Sequence, residues 1–359
     1  MKAALIGLGQ AGGRVAQAIR DTDRQAGYDA IRGVLAVNTA RPDLQGLDVE
    51  TMLIGGDRVS GHGVGADNEL GASIMQADIN EVMSGLDGIV RPETDAIVIV
   101  AGLGGGTGSG GAPVLAKELR RVYDKPVYGL GILPGRDEGA IYQKNAAQSL
   151  QTFAREADSL LLLENDAWRA SGDSMSEAFE TINERIARRF TLVLAAGEVL
   201  EGVGESVVDA SEVINTLRAG GMAAIGYASA EAASEAGENV NVITSTARRA
   251  LLTDMSVPDT TSAESALVIA AGDPERLSRK GVERARKWVE SETGSMAVRG
   301  GDFPLPDEEE IAVVVLLAGI ADSPRLEAFM ERAKEASEKT ETETDRKTAF
   351  QNEELEDLF

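Results

Sequence analysis

Along the first half of the chain, short unbroken apolar runs alternate with longer stretches in which apolar residues recur every three or four positions. Residues 2–6, 33–37, 51–54, 96–100, 126–133 and 159–163 read as strands buried on both faces. Between them, Val15, Ala16 and Ile19, a run from about Leu70, and residues 113–122 and 141–154 carry the helical period. Strand then helix, repeated, predicts an α/β fold with a parallel sheet and helices on its faces. From Ser174, the positions Met175, Phe179, Ile182, Ile186, Phe190, Val193 and Leu194 form one stripe of a long helix. Residues 223–229, 264–271 and 311–318 then read as strands, and 240–252 and 281–292 as helices, of a smaller second α/β unit. Past Arg325 the chain turns charged, and residues 337–346 have no apolar periodicity and are expected to be disordered. The last ten residues, Phe350 to Phe359, regain apolar side chains; they read as a partner-docking peptide or as a frayed tail.

Glycine breaks this pattern at strand ends. Residues 101–111 hold seven glycines in eleven positions, directly after an apolar run and before the helical segment that begins at Pro113. Strand, glycine loop and helix in that order build an anion site. Glycine permits positive φ and lets backbone N–H groups approach a ligand, and the helix start adds the positive end of its dipole. Pro113 suits a first helical turn, and Thr107 and Ser109 supply hydroxyl donors. A flexible linker is the alternative, opposed by the strand and helix that flank the run. Similar loops follow at residues 7–13, 55–58 and 61–69, so a ligand with several phosphates, gripped from more than one side, fits the arrangement.

The sequence Gly7-x-Gly9-x-x-Gly12 alone would suit a dinucleotide fold and an NAD-dependent oxidoreductase, but the next strand ends in Asn38 where such enzymes place an acid for the ribose. There is no G-x-x-x-x-G-K-[ST] motif. Backbone amides and helix dipoles must therefore carry most of a triphosphate's charge, helped by a divalent ion such as Mg²⁺ bridging the phosphates. Arg14, Asp67 and Glu69 either assist or are solvated surface charges.

Composition narrows the chemistry. The 359 residues, 43% apolar, predict two domains with a sizeable core. The amino terminus has too short an apolar run for a signal peptide and no stretch reaches transmembrane length, so a soluble, cytoplasmic protein is expected. With no cysteine and a single histidine, His62, disulfides, thiolate metal sites, cysteine nucleophiles and most histidine catalysis are excluded. A net charge of −24 opposes nonspecific binding to nucleic acid or anionic membranes. Of 35 cationic residues nine are Lys and 26 Arg, a lysine-poor acidic balance like that of salt-adapted proteins, though an ordinary acidic protein also reaches it.

Six further residues carry candidate chemistry. Glu138 and Asn165 fall at the carboxyl ends of predicted strands, where α/β sheets bind ligands, or they are turn residues and caps. Asn183 lies four residues after Phe179 on one helical face: a ring to stack on a base beside an amide to read its edge, or a core Phe with a boundary Asn. Asp209 and Glu212, at i,i+3, face the same way as a pair of acids or form a capping box.

Gly104-Gly-Gly-Thr-Gly-Ser-Gly110 resembles the signature loop of the tubulin/FtsZ superfamily, and Gly9-Gln-Ala-Gly-Gly-Arg14 resembles its first phosphate loop. The resemblance covers residues 1–320 and is greatest to the CetZ proteins of haloarchaea. It implies a Rossmann-like GTPase domain over 1–173, a central helix and connector over 174–204, a second α/β activation domain over 205–325 and a charged tail over 326–359. It also implies GTP/GDP and phosphate-bound Mg²⁺ as cofactors, no protein-held metal, and assembly with itself, head to tail, into filaments that serve cell shape. By the same resemblance Gly9, Gln10, Ala11, Gly12, Gly13, Arg14, Gly65, Ala66, Asp67, Asn68, Gly104, Gly105, Gly106, Thr107 and Gly108 hold the phosphates. Glu138 binds the ribose, Asn165 lies near ribose and base, and Asn38 and Pro134 belong to the same nucleotide-binding set. Phe179 stacks on guanine and Asn183 reads its edge, while Asp209 and Glu212 are the acids that complete hydrolysis at the next subunit's nucleotide. Two departures stand out: Val207 where the family often has Asn, and Tyr142 where FtsZ has Arg. The first leaves open a scaffold that assembles but hydrolyses little.

Overall fold

The structure, a computed structural model, describes residues 1–167, 175–196, 207–260, 262–335 and 337–338. The element order of the first half is β1 (Ala3–Leu8), α1 (Gly9–Ala26), β2 (Ile31–Asn38), α2 (Arg41–Gln45), β3 (Glu50–Leu53), α3 (Gly56–Val59), α4 (Asn68–Ala77), α5 (Ile79–Gly85), β4 (Ala96–Gly102), α6 (Thr107–Val122), β5 (Val127–Leu133), α7 (Ala140–Glu156) and β6 (Ser159–Glu164). A 22-residue helix α8 (Met175–Ala196) leads to α9 (Ala210–Leu217), β7 (Met222–Glu231), α10 (Asn239–Leu252), β8 (Ser265–Gly272), α11 (Arg279–Thr293), β9 (Ala297–Pro304) and β10 (Glu310–Ile320). A last helix, α12, begins at residue 324 and runs to 335.

Among the described residues, ten strands join one sheet in the order β3-β2-β1-β4-β5-β6-β7-β10-β8-β9. Its first six strands are parallel, as the repeated strand–helix pattern requires. The second unit adds β10 antiparallel to both β7 and β8, and along the sheet it joins the first where Leu160 and Leu161 of β6 pair with Met222 and Ala223 of β7. Strand residues feed two apolar layers. In β1, Ala4, Ile6 and Leu8 point into the layer shared with α4 to α7, whereas Ala3 and Leu5 point into the layer shared with α1 and α8. Helices on both faces explain why these strands read as unbroken apolar runs.

Several elements differ from the sequence expectation. Gly9–Gly13 and Thr107–Gly111 are not loops ahead of helices but the first turns of α1 and α6. No glycine from 102 to 111 has positive φ; their want of a Cβ serves close approach instead. Pro113 lies inside α6, two turns from its start. Its missing N–H would leave the Ser109 carbonyl unpaired four residues back, and the Ser149 hydroxyl of α7 donates to that oxygen at 2.8 Å. Strand β9 was missed because Gly300 and Gly301 interrupt its apolar pattern.

Nor does the packed chain end at residue 325. In α12, Leu326, Phe329 and Ala333 are buried at one helical spacing, so residues 326–335 of the expected tail belong to the fold. The connector at 197–204, the rest of the tail from 339 and its closing apolar peptide lie outside the described residues. The Arg325 guanidinium anchors α12, donating from Nε to Glu164 Oε2 at 2.6 Å with the carboxylate side chain only 4% exposed. Burial pushes the Glu164 carboxyl up to about 7, and nearby Asp166 adds to it.

Removing the guanidinium would strand a buried carboxylate. Arg325→Ala is expected to destabilise the fold by about 3 kcal/mol at pH 8. At pH 5.5 the loss should shrink, because the folded state then holds a proton that unfolded glutamate releases above its ordinary value near 4.5. Stability lost by this variant therefore grows as pH rises, which urea unfolding at the two pH values will measure; an equal loss at both would contradict it.

Candidate functional site

Parallel strands present their carboxyl ends to one edge of the sheet, and ligands collect there. Residues at or just beyond the ends of β1, β2, β4, β5 and β6 line a cleft of about 480 Å³ at that edge. Helices α1 and α6 begin in its wall, and neither N-cap residue, Leu8 or Gly106, offers a side-chain cap. The first-turn N–H groups of both helices are thus available to an anion, at the positive ends of two dipoles. Helix α4 is different, since the Asp67 carboxylate accepts the Leu70 N–H at 2.9 Å.

The cleft brings together Gly9, Gln10, Ala11, Arg14, Asn38, Gly65, Ala66, Gly104, Gly105, Gly106, Thr107, Gly108, Pro134, Glu138, Asn165, Phe179 and Asn183. Four members of the expected phosphate set fall outside its wall. A Cβ on Gly12 would lie 2.2 Å from the Val100 carbonyl oxygen, and one on Gly13 would lie 2.9 Å from Leu47, so both are packing glycines. Asp67 caps α4, and Asn68 donates to Gln148 on α7 at 3.1 Å. Ser109 is also turned away: its hydroxyl donates to the carbonyl of Gly105, four residues back and just ahead of α6.

Two of the open alternatives are decided by position. Phe179 is 40% exposed and lines the cleft near Asn183, so its ring is not a core side chain. Glu138 is both wall and turn residue, with Oε1 accepting the Gly135 N–H at 2.8 Å. Asn165 is 9% exposed at the end of β6, beside Asp166, whose carboxylate accepts the Arg136 N–H at 2.9 Å and ties the β5–α7 turn to that strand end. Arg14 is the only Lys or Arg among the described residues lining the cleft, against Asp43 and Glu138, so the main attraction the cleft offers an anion is its main-chain amides. Among the described residues no group of three or more His, Asp or Glu side chains is placed to hold a metal, so a divalent ion here would have to be carried largely by ligand oxygens and water.

Sequence reasoning missed Asn145, Thr39 and Asp43. Asn145, buried on α7, donates to the carbonyls of Ala66 at 2.7 Å and Gly104 at 3.0 Å, clamping two of the glycine-rich segments together. The Thr39 hydroxyl pairs with that of Thr107 at 2.7 Å, joining β2's end to α6. Asp43 accepts from both Gln10 and Asn38. Nothing in the spacing of these three marks them, because each acts across elements distant in sequence.

Asp209 and Glu212 lie elsewhere. Phe179 and Asn183 put the amino-terminal part of α8 at the cleft; from Phe179 the helix runs about 23 Å to Leu194, whose carbonyl accepts from the Met1 ammonium at the opposite sheet edge. Asp209 at the start of α9 feels the charge of the Met1 ammonium at that remote edge, and Ile214, Leu217 and Arg218 line a depression with Pro126 and Tyr128, where β5 begins. Within the chain the two acids form the capping box: Asp209 Oδ1 accepts the Glu212 N–H at 3.0 Å and Glu212 Oε2 accepts the Asp209 N–H at 3.3 Å. The Ser211 hydroxyl holds the Asp209 carboxyl below its ordinary value; partial burial, reinforced by Asp209, raises that of Glu212.

Comparison with known proteins agrees with this geometry. Residues 2–173 match the GTPase domain of the tubulin/FtsZ family, and residues 172–335 match the C-terminal domain of tubulin-like CetZ. The chain is 62% identical to the tubulin-like protein CetZ2 of Haloferax volcanii over the full length of both. The GTPγS-bound protofilament structure of that relative superposes with a TM-score of 0.91, covering 95% of this chain and all of the other. The GDP-bound monomer of Haloferax volcanii CetZ1, 50% identical, superposes at 0.87, covering 94% and 100%. These matches set aside the dinucleotide oxidoreductase.

Asn145 provides a test of how the cleft is held. Asn145→Ala leaves the Ala66 and Gly104 carbonyls without their donor and is expected to lower stability by about 2–4 kcal/mol. Guanine nucleotide affinity should fall with it, measured by denaturant unfolding and fluorescent-nucleotide titration on the same preparation.

Proposed function

The chain belongs to the tubulin/FtsZ family, in its CetZ branch, and from that membership we propose that it binds GTP in the cleft, hydrolyses it and assembles head to tail into cytoskeletal filaments. The observation that carries this reading is the separation of parts: two uncapped helix starts meet in a cleft with an exposed ring and amide, while the paired acids stand at the far end of α8. The protofilament form of the Haloferax volcanii relative, bound to a GTP analogue, supports the assembly half of the proposal.

In this reading the amides of Gly9 to Ala11 and Gly104 to Gly108 receive the phosphates, with Gly65, Ala66 and Arg14 completing the wall. Gly12, Gly13, Asp67 and Asn68 act indirectly, by letting those segments approach or by capping them. Glu138 and Asn165 take the ribose, Pro134 and Asn38 flank it, and Phe179 and Asn183 take the guanine. Mg²⁺ travels with the phosphates, lowering their charge against Asp43 and Glu138.

Glu212, supported by Asp209, aligns a water on the γ-phosphate of the adjoining subunit by accepting its hydrogen bond. A carboxylate also repels phosphate, and the amides and bound cation offset that repulsion. Hydrolysis then requires contact between subunits, and a heterologous contact of this kind propagates as a filament. The protein works in the cytoplasm, in control of cell shape, and the tail beyond α12 docks a protein partner.

Two measurements test the mechanism. GTP turnover per subunit should rise with protein concentration above an assembly threshold, and a flat dependence would indicate a self-contained site. Glu212→Gln keeps an N3 side chain able to accept in the capping box, so thermal stability should hold within about 0.5 kcal/mol while turnover falls at least about tenfold. Wild-type assembly with negligible turnover would instead identify the scaffold.

A further inference from the structure

Asp43 stands in the cleft wall on the short helix α2. Its Oδ1 accepts from Gln10 Nε2 at 3.1 Å and its Oδ2 accepts from Asn38 Nδ2 at 3.0 Å. A carboxylate only accepts, so both amides must turn their NH₂ groups toward it. Asn38 is held in that orientation a second time, because its Oδ1 accepts the N–H groups of Thr39 at 2.8 Å and Ala40 at 3.3 Å. Among the described residues Gln10 has no such second hold, and its bond to Asp43 sets which end of its amide is left for the rest of the cleft.

We propose that Asp43 is a positioning residue that fixes the polarity of Gln10, so that the Gln10 amide oxygen meets the bound nucleotide as an acceptor. Phosphate oxygens accept and do not donate, so this oxygen is matched to a proton-donating group: a water carried by the phosphate-bound Mg²⁺, or a ribose hydroxyl. The inference rests on the cleft being the nucleotide site and adds to it the chemical character of one contact.

Asp43→Asn is the discriminating variant. With Asn38 pinned, the new side chain turns its oxygen to Asn38 and its NH₂ to Gln10, and Gln10 must flip to answer it, presenting NH₂ to the nucleotide. Removing a negative charge from the cleft should by Coulomb attraction alone tighten binding of a triphosphate. The proposal predicts the opposite sign, a loss of about tenfold for the hydrogen bond forfeited.

Affinities of a fluorescent GTP analogue labelled on the base would be measured for wild type and Asp43→Asn, with Mg²⁺ and with EDTA, and again with the 2′-deoxy and 3′-deoxy sugars. Thermal unfolding of both proteins would confirm equal folding. A loss confined to the Mg²⁺ arm supports the proposal and identifies the water on the ion. A loss with and without Mg²⁺ that vanishes for one deoxy sugar supports it and identifies that hydroxyl. Unchanged or tighter binding, or an equal loss in every arm, overturns it. Wild-type protein that binds no guanine nucleotide would overturn the nucleotide reading itself, a distinct result.

Discussion

The approach of backbone to backbone at the cleft floor is the constraint on which the rest of the structure depends. A Cβ on Gly12 would sit 2.2 Å from the Val100 carbonyl oxygen, and one on Gly110 would sit 2.0 Å from that of Asn68. From the other side, a Cβ on Gly71 of α4 would sit 2.3 Å from the Gly106 carbonyl. Contacts of this closeness admit only glycine, and they bring α1 against β4 and α4 against α6. The helix starts are thereby seated beside one another at the sheet edge, where their unpaired N–H groups share a single volume. Any side chain at these positions would have to move a helix, and with it an end of the cleft.

That geometry answers a problem set by charge. A chain with a net charge of −24 and a single arginine in the cleft wall has little side-chain means of holding a polyphosphate. Main-chain amides and helix dipoles can supply the attraction without changing the acidic composition of the surface. Such donors must be held rigidly to be worth their desolvation. Asn145 between Ala66 and Gly104, the Thr39–Thr107 hydroxyl pair, and Asp43 between Gln10 and Asn38 are the side chains that hold them.

The long helix makes the second division. Its amino-terminal half keeps Phe179 and Asn183 at the cleft, and its other half, from Phe190 to Ala196, is buried almost all round between the two halves of the sheet. The same element therefore runs from the ligand cleft to the opposite sheet edge, where the Leu194 carbonyl meets Met1. Asp209 and Glu212 satisfy the start of their own helix, and neither lines the cleft. The join between the halves is narrow along the sheet, two residue pairs, and Ser256 and the Arg325–Glu164 ion pair add further ties to β6, just before Asn165.

Local chemistry in the sequence was enough for the parallel half of the sheet, the long helix and most of the cleft wall. Apolar runs, 3.6-residue periods and glycines at strand ends are each read within a few residues, and the resemblance of residues 9–14 and 104–110 to one family supplied the ligand. Tertiary structure decided what those signals could not. It showed that the glycines at 102–111 answer to close packing rather than positive φ, that Pro113 lies within a helix because Ser149 supplies its lost partner bond, and that residues 326–335 stay packed through three apolar side chains. It also showed that Phe179 faces a cleft although its helical stripe pointed to the core. The physical reason is common to all of these: a residue's period along the chain specifies its face, but a partner contributed by a distant segment decides what that face meets.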